Sequence, residues 1–105
     1  MPKYLLAFHG GGMPETQEEQ ARVLAAWTSW YTTLGQAIVD PGNPVGEAKT
    51  IGADGSLSAG GGANPVSGYT ILSADNLGMA ADLAKGCPIL EGGGSIEVCE
   101  TFDVM

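Results

Sequence analysis

The chain has 105 residues, of which 44% are hydrophobic and 15% charged, which suits one domain over residues 1–105 and excludes both a disordered chain and a membrane-spanning helix. A chain of this size buries roughly two-thirds of its unfolded surface, enough for a core without metals or disulfides. Twelve acidic residues oppose four basic ones (Lys3, Arg22, Lys49 and Lys85), so the net charge is −8; no basic cluster exists to neutralise phosphates, which argues against nucleic acid and anionic membranes as partners.

The N-terminus, Met1 to His9, lacks a long apolar segment and a cleavage site, so it reads as no signal peptide and a cytoplasmic protein. Lys3 to His9 reads as a strand: short, apolar and aromatic, and stopped by Gly10-Gly11-Gly12. Nearly every side chain in it is apolar, so both faces are expected to be covered. A long helix follows. Thr16 and Glu19 have capping-box spacing, and Glu15, Glu18 and Glu19 suit the positive end of the helix dipole. Val23, Trp27, Trp30, Tyr31 and Leu34 then form one apolar stripe, and Gly35 is the expected stop.

Gln36 to Asp40 reads as a second strand, followed by a stiff Pro41-Gly42-Asn43-Pro44 loop. Glu47 to Leu57 suggests a hairpin turning at Ala53-Asp54-Gly55. Gly60 to Pro65 is a loop, and Gly68 to Ser73 a strand. A second helix is expected from about Asp75 to Lys85, with Leu77, Ala80, Ala81 and Ala84 buried, stopped by Gly86 and Pro88. After Gly92-Gly93-Gly94 the last strand, Ser95 to Phe102, alternates Ile96, Val98 and Phe102 against Ser95, Glu97, Cys99 and Thr101.

The order β-α-β-(hairpin)-β-α-β is the split βαβ, an α+β ferredoxin-like arrangement. Two helices cover one face of its four-stranded sheet and leave the other bare. A bare apolar face asks for a partner, and the simplest is a second copy, face to face, in a two-chain barrel.

Several segments carry a resemblance to a known family. They are Lys3 to Gly11, Leu34 to Gly42, Gly62 to Tyr69, and Lys85 to Pro88 continuing into Gly94 to Val98. Together they resemble the YCII-related (DGPF-type) family of dimeric α-β barrel proteins. The resemblance implies a homodimer and a cleft for a small organic ligand. It also directs attention to a His–Asp pair, with histidine on the first helix and aspartate shortly before the last strand. Here Leu24 to Trp27 occupy the first position and Gly86, Cys87 and Pro88 lie near the second, so that pair is absent.

His9 is the one histidine, closing the first strand beside a glycine triplet, where it can move a proton as general acid or base. The alternative is a strand-end ring bonded to backbone. Asp40, at the end of the second strand, is the candidate to orient His9, or else a turn-initiating aspartate. Trp27 walls an apolar pocket or packs in the core. Lys49 attracts an anionic group or is a solvated lysine. Asn64, Ser67 and Tyr69 offer polar tips to a ligand, although Asn64-Pro65 also suits a simple turn. Cys87 and Cys99 read as small, partly buried thiols. With no CxxC pair a zinc site is not expected, and no glycine triplet continues as a phosphate-binding loop.

Two main readings follow. One is a cofactor-independent isomerase, lyase or dehalogenase acting through His9. The other is a non-catalytic ligand-binding or regulatory dimer. A purely structural interaction module is a third.

Overall fold

The computed structural model describes residues 1–12 and 14–104. Its strands are β1 (Lys3–His9), β2 (Ile38–Asp40), β3 (Lys49–Ile51), β4 (Leu57–Ala59), β5 (Val66–Ser73) and β6 (Ser95–Glu100); its helices are α1 (Gln17–Leu34) and α2 (Leu77–Ala84). Four strands form one antiparallel sheet in the order β2-β5-β1-β6. β5 therefore lies between β1 and β2, and β1 between β5 and β6, so each βαβ unit is split by a strand of the other. This is the expected ferredoxin-like fold.

The helix ends follow local chemistry. Thr16 Oγ1 accepts the Glu19 N–H at 3.1 Å, and the Glu19 carboxylate accepts the Glu15 N–H at 3.3 Å. Gly35 ends α1 with φ +53°, its N–H donating to the Tyr31 carbonyl. Asn76 caps α2 through the Met79 N–H at 2.9 Å, so that helix begins two residues later than Asp75.

The core lies between the sheet and the helices. Tyr4, Leu6 and Phe8 of β1 and Leu72 of β5 meet Trp30 and Leu34 of α1 and Ala80 and Ala84 of α2. The Trp30 indole N–H donates to the Leu83 carbonyl at 3.0 Å and ties the two helices together. Three apolar positions expected inside are outside: Val23 is 39%, Leu77 47% and Phe102 78% exposed. Leu77 occupies the first position of α2, next to the Asn76 cap and before the first buried residue of the helix, Ala80. Phe102 lies beyond the end of β6, where the ladder to β1 has stopped. Val23, in the second turn of α1, is not among the residues packed on the core.

The other face of the sheet has no helix over it. Alternation along β1 directs Leu5, Ala7 and His9 there, and the register adds Tyr69, Ile71, Glu97 and Cys99. The expectation that both faces of β1 are covered is therefore met on one side only by elements of this chain. The molecule is a plate of 43 × 41 × 18 Å.

The hairpin forms, shifted slightly toward the C-terminus. Gly52 to Ser56 make its turn, closed by the Gly52 N–H on the Ser56 carbonyl at 2.7 Å. β3 and β4 pair only with each other, and all six of their residues are exposed. They form an arm outside the sheet. Among the described residues no helix is long and apolar enough to cross a membrane.

Candidate functional site

His9 closes β1 opposite a bulge in β5. The register runs Phe8 to Gly68 and then His9 to Val66, so Ser67 is the extra residue. The bulge turns the preceding loop over the histidine, which is 7% exposed although it lies on the uncovered face. Close packing behind it requires glycine: a Cβ on Gly94 would come within 2.9 Å of the His9 carbonyl oxygen.

The ring has partners on both sides. Nδ1–H donates to the carbonyl oxygens of Asn64 (3.0 Å) and Pro65 (3.2 Å). Nε2 lies 3.1 Å from Glu97 Oε1. Glu97 is two residues along β6 from the direct partner of His9: Ser95 faces His9 and Glu97 faces Ala7, so the two side chains meet diagonally across the ladder. The Glu97 side chain is 67% exposed, while that of His9 is 9% exposed.

This geometry fixes the protons. Both partners of Nδ1 are carbonyls, which only accept, so Nδ1 carries a hydrogen. A hydrogen bond between Nε2 and Oε1 at 3.1 Å needs one further hydrogen on one of the two atoms. On Nε2 the pair is imidazolium and carboxylate; on Oε1 it is imidazole and carboxylic acid. When that hydrogen leaves, two lone pairs face each other, and the exposed glutamate is free to swing aside. Nε2 is then a base held in one tautomer and one orientation by the backbone.

The other sequence candidates divide. Asp40 does not meet His9. It lies on edge strand β2, two strands away, and its Oδ1 accepts the Gly42 N–H at 2.9 Å. It therefore shapes the turn, where Gly42 has φ +74° and a side chain would overlap the Tyr69 carbonyl. Trp27 is on the opposite side of the sheet from His9, its ring tilted or edge-on to those of Phe8 (5.6 Å), Trp30 (5.7 Å) and Tyr31 (5.8 Å). It is a core ring. Lys49 stands on the arm, exposed. Asn64 reaches His9, through its backbone oxygen. Ser67 gives its carbonyl to the Val45 N–H, and its hydroxyl is enclosed with no partner among the described residues. Tyr69 faces Ala7 on the uncovered side and is half-buried.

Glu97 is the residue the sequence reading missed. Its signal was the topology itself: in a split βαβ the first and last strands pair, and their antiparallel register brings the end of one to the start of the other.

Other titratable groups are poorly placed for acid–base work. Burial pushes the Cys87 thiol up to about 11 and keeps it protonated. Burial also raises Tyr31, whose hydroxyl shares the Pro41 carbonyl with that of Thr70 on the helix side. Among the described residues, no cluster of three or more His, Cys, Asp and Glu could hold a metal. A hollow of about 330 Å³ opens near Ala37, Ser73, Asp75 and Met79. It lies where Lys3 pairs Ser73, at the other end of β1 from His9, about 20 Å away.

Neither a family model nor a curated protein matches this chain. Seven chains of known structure do. One is the 5-chloro-2-hydroxyhydroquinone dehydrochlorinase of Burkholderia phenoliruptrix AC1100 in complex with 2,5-dihydroxybenzoquinone. It is 16% identical, with a TM-score of 0.55 over 96% of this chain and 93% of that one. What the two share at this identity is the ferredoxin-like fold on which dimeric α-β barrels are built.

Proposed function

We propose that this chain is a YCII-related homodimer that moves a proton on a small organic molecule without a cofactor, in a cytoplasmic setting. One observation carries the reading: His9 is held through Nδ1 by two backbone carbonyls while Nε2 faces the Glu97 carboxylate. A ring anchored in this way loses no orientation when it takes a proton. Nε2 removes a hydrogen from a carbon or oxygen of the substrate. The ring then carries both hydrogens, and Glu97 balances its charge. An isomerase returns the proton at a neighbouring atom. A lyase or dehalogenase instead releases a leaving group, such as halide, with its bonding electrons. The dehydrochlorinase of the same fold supports the last class as the first to assay. Tyr69 shares the face with His9 and suits contact with an aromatic or quinoid ring.

The test uses 5-chloro-2-hydroxyhydroquinone and related chlorinated hydroquinones as probes, with chloride release as the readout. Turnover by the native chain that vanishes in His9→Ala supports the assignment. Turnover unchanged in His9→Ala removes the histidine from the mechanism. Saturable binding of the same probes without product favours the ligand-binding alternative. One observation points that way: the described hollow lies far from His9.

A further inference from the structure

The arm formed by β3 and β4 has two unlike faces. Thr50 pairs Ser58 on one; Lys49 pairs Ala59 and Ile51 pairs Leu57 on the other. Ile51 is 72% and Leu57 60% exposed, so the apolar face of the ribbon is left largely uncovered by its own chain. A lone two-stranded hairpin is only marginally stable in water, so three ladder pairs need a surface to rest on.

The same chain has a second bare surface, the sheet face around Leu5, Ala7, Tyr69 and Ile71. The two surfaces match in charge as well as in polarity. Lys49 is the one charged residue on the strands of the arm, and among the described residues it is in no ion pair. Glu97 is the carboxylate beside His9 on the sheet face, with only Oε1 engaged. Two chains of net charge −8 repel, so an interface between copies needs opposite charges set against each other locally.

We propose that the arm of each chain lies on the uncovered sheet face of a second copy, Ile51 and Leu57 covering its apolar strip and Lys49 meeting the partner's Glu97. The proposal rests on the homodimeric reading above and adds what completes the site: a flat sheet face becomes a walled one only when the other copy's arm is laid over it. The arrangement is two-fold and self-complementary, because each copy gives one arm and receives one. It also couples association to the histidine. β4 ends at Ala59, and the next segment, residues 60–65, carries the Asn64 and Pro65 carbonyls that hold Nδ1. Seating the arm therefore steadies the His9 ring of the chain that owns it.

Charge reversal tests the contact. Lys49→Glu and Glu97→Lys are made separately in the full chain, and the dimer constant is measured by sedimentation equilibrium. Each variant alone sets two like-charged pairs across the interface and should dimerise about tenfold or more weakly. In an equimolar mixture both pairs become opposite in sign, so the mixed dimer should recover close to native affinity. Weakening without recovery, or no weakening at all, overturns the proposal. Ile51→Ser with Leu57→Ser, at exposed positions that the core does not use, should weaken the dimer to a similar degree; an unchanged constant there also overturns it.

The single histidine keeps the two readings apart. Nitrogen-15 spectra of the His9 ring report directly whether Nδ1 carries its hydrogen. A protonated Nδ1 together with failed rescue leaves the His9–Glu97 site standing and removes the arm contact. An unprotonated Nδ1 in the native dimer removes the site reading, whatever the arm does.

Discussion

Replacing Trp30 with phenylalanine should cost this fold about 2–3 kcal/mol. The ring is 5% exposed and its N–H donates to the Leu83 carbonyl at 3.0 Å. Loss of that hydrogen bond removes about 1 kcal/mol. The carbonyl keeps a longer bond from the Gly86 N–H at 3.4 Å, so it is not wholly orphaned. Removing three buried ring atoms adds about 1–2 kcal/mol in lost transfer energy and residual cavity. For a domain of this length the sum lowers the melting temperature by about 10–20 °C. Urea unfolding followed by circular dichroism measures it free of the change in tryptophan fluorescence. It should be run at several protein concentrations, because association adds stability by mass action. Trp27→Phe, at a half-buried ring, is the control and should lose about 1 kcal/mol. A Trp30→Phe loss no larger than the control's would refute the argument that this indole holds α1 to α2.

Three further outcomes test the chemistry. Cys87 favours its neutral thiol in the folded state, with a value of about 11 against an ordinary 9.0. Its contribution to stability is therefore complete below pH 9 and lost as pH rises toward 11; Cys87→Ala should abolish that component of the pH dependence, and an unchanged profile would contradict it. Asp40→Ala should cost about 1 kcal/mol through the lost Gly42 contact and leave the His9 ring spectrum unmoved. Glu97→Ala should shift that spectrum at once, and the opposite pattern would return Asp40 to the site.

Most of the fold could be read in the sequence because its signals are local. The Thr16 cap, the Trp27–Leu34 stripe and the Gly35 stop each depend on neighbours within a turn or two, and each forms as expected. Exposure at Val23, Leu77 and Phe102 was not legible, since it depends on which neighbours the tertiary fold sets against each element. The site was legible by half. His9 announced itself as the one histidine at a strand end. Its partners are 55 to 88 positions away, and two of the three are backbone oxygens, which any residue can supply. Asp40 had the better sequence credentials for the role of partner. Its carboxylate was taken by the nearer donor, the Gly42 N–H two residues on.

The strand order has a consequence for how this chain avoids itself. β6 is one of the two edge strands of the sheet, bonded to β1 on one side, and among the described residues no strand pairs with its other side. Such a border is a template on which stray strands can extend the sheet. Here three of the final positions of the chain's acidic inventory fall on or just past it: Glu97 and Glu100 in the strand and Asp103 beyond. Carboxylates spaced along that border set like charge against like when a second copy approaches edge to edge, and so oppose open-ended growth along β6.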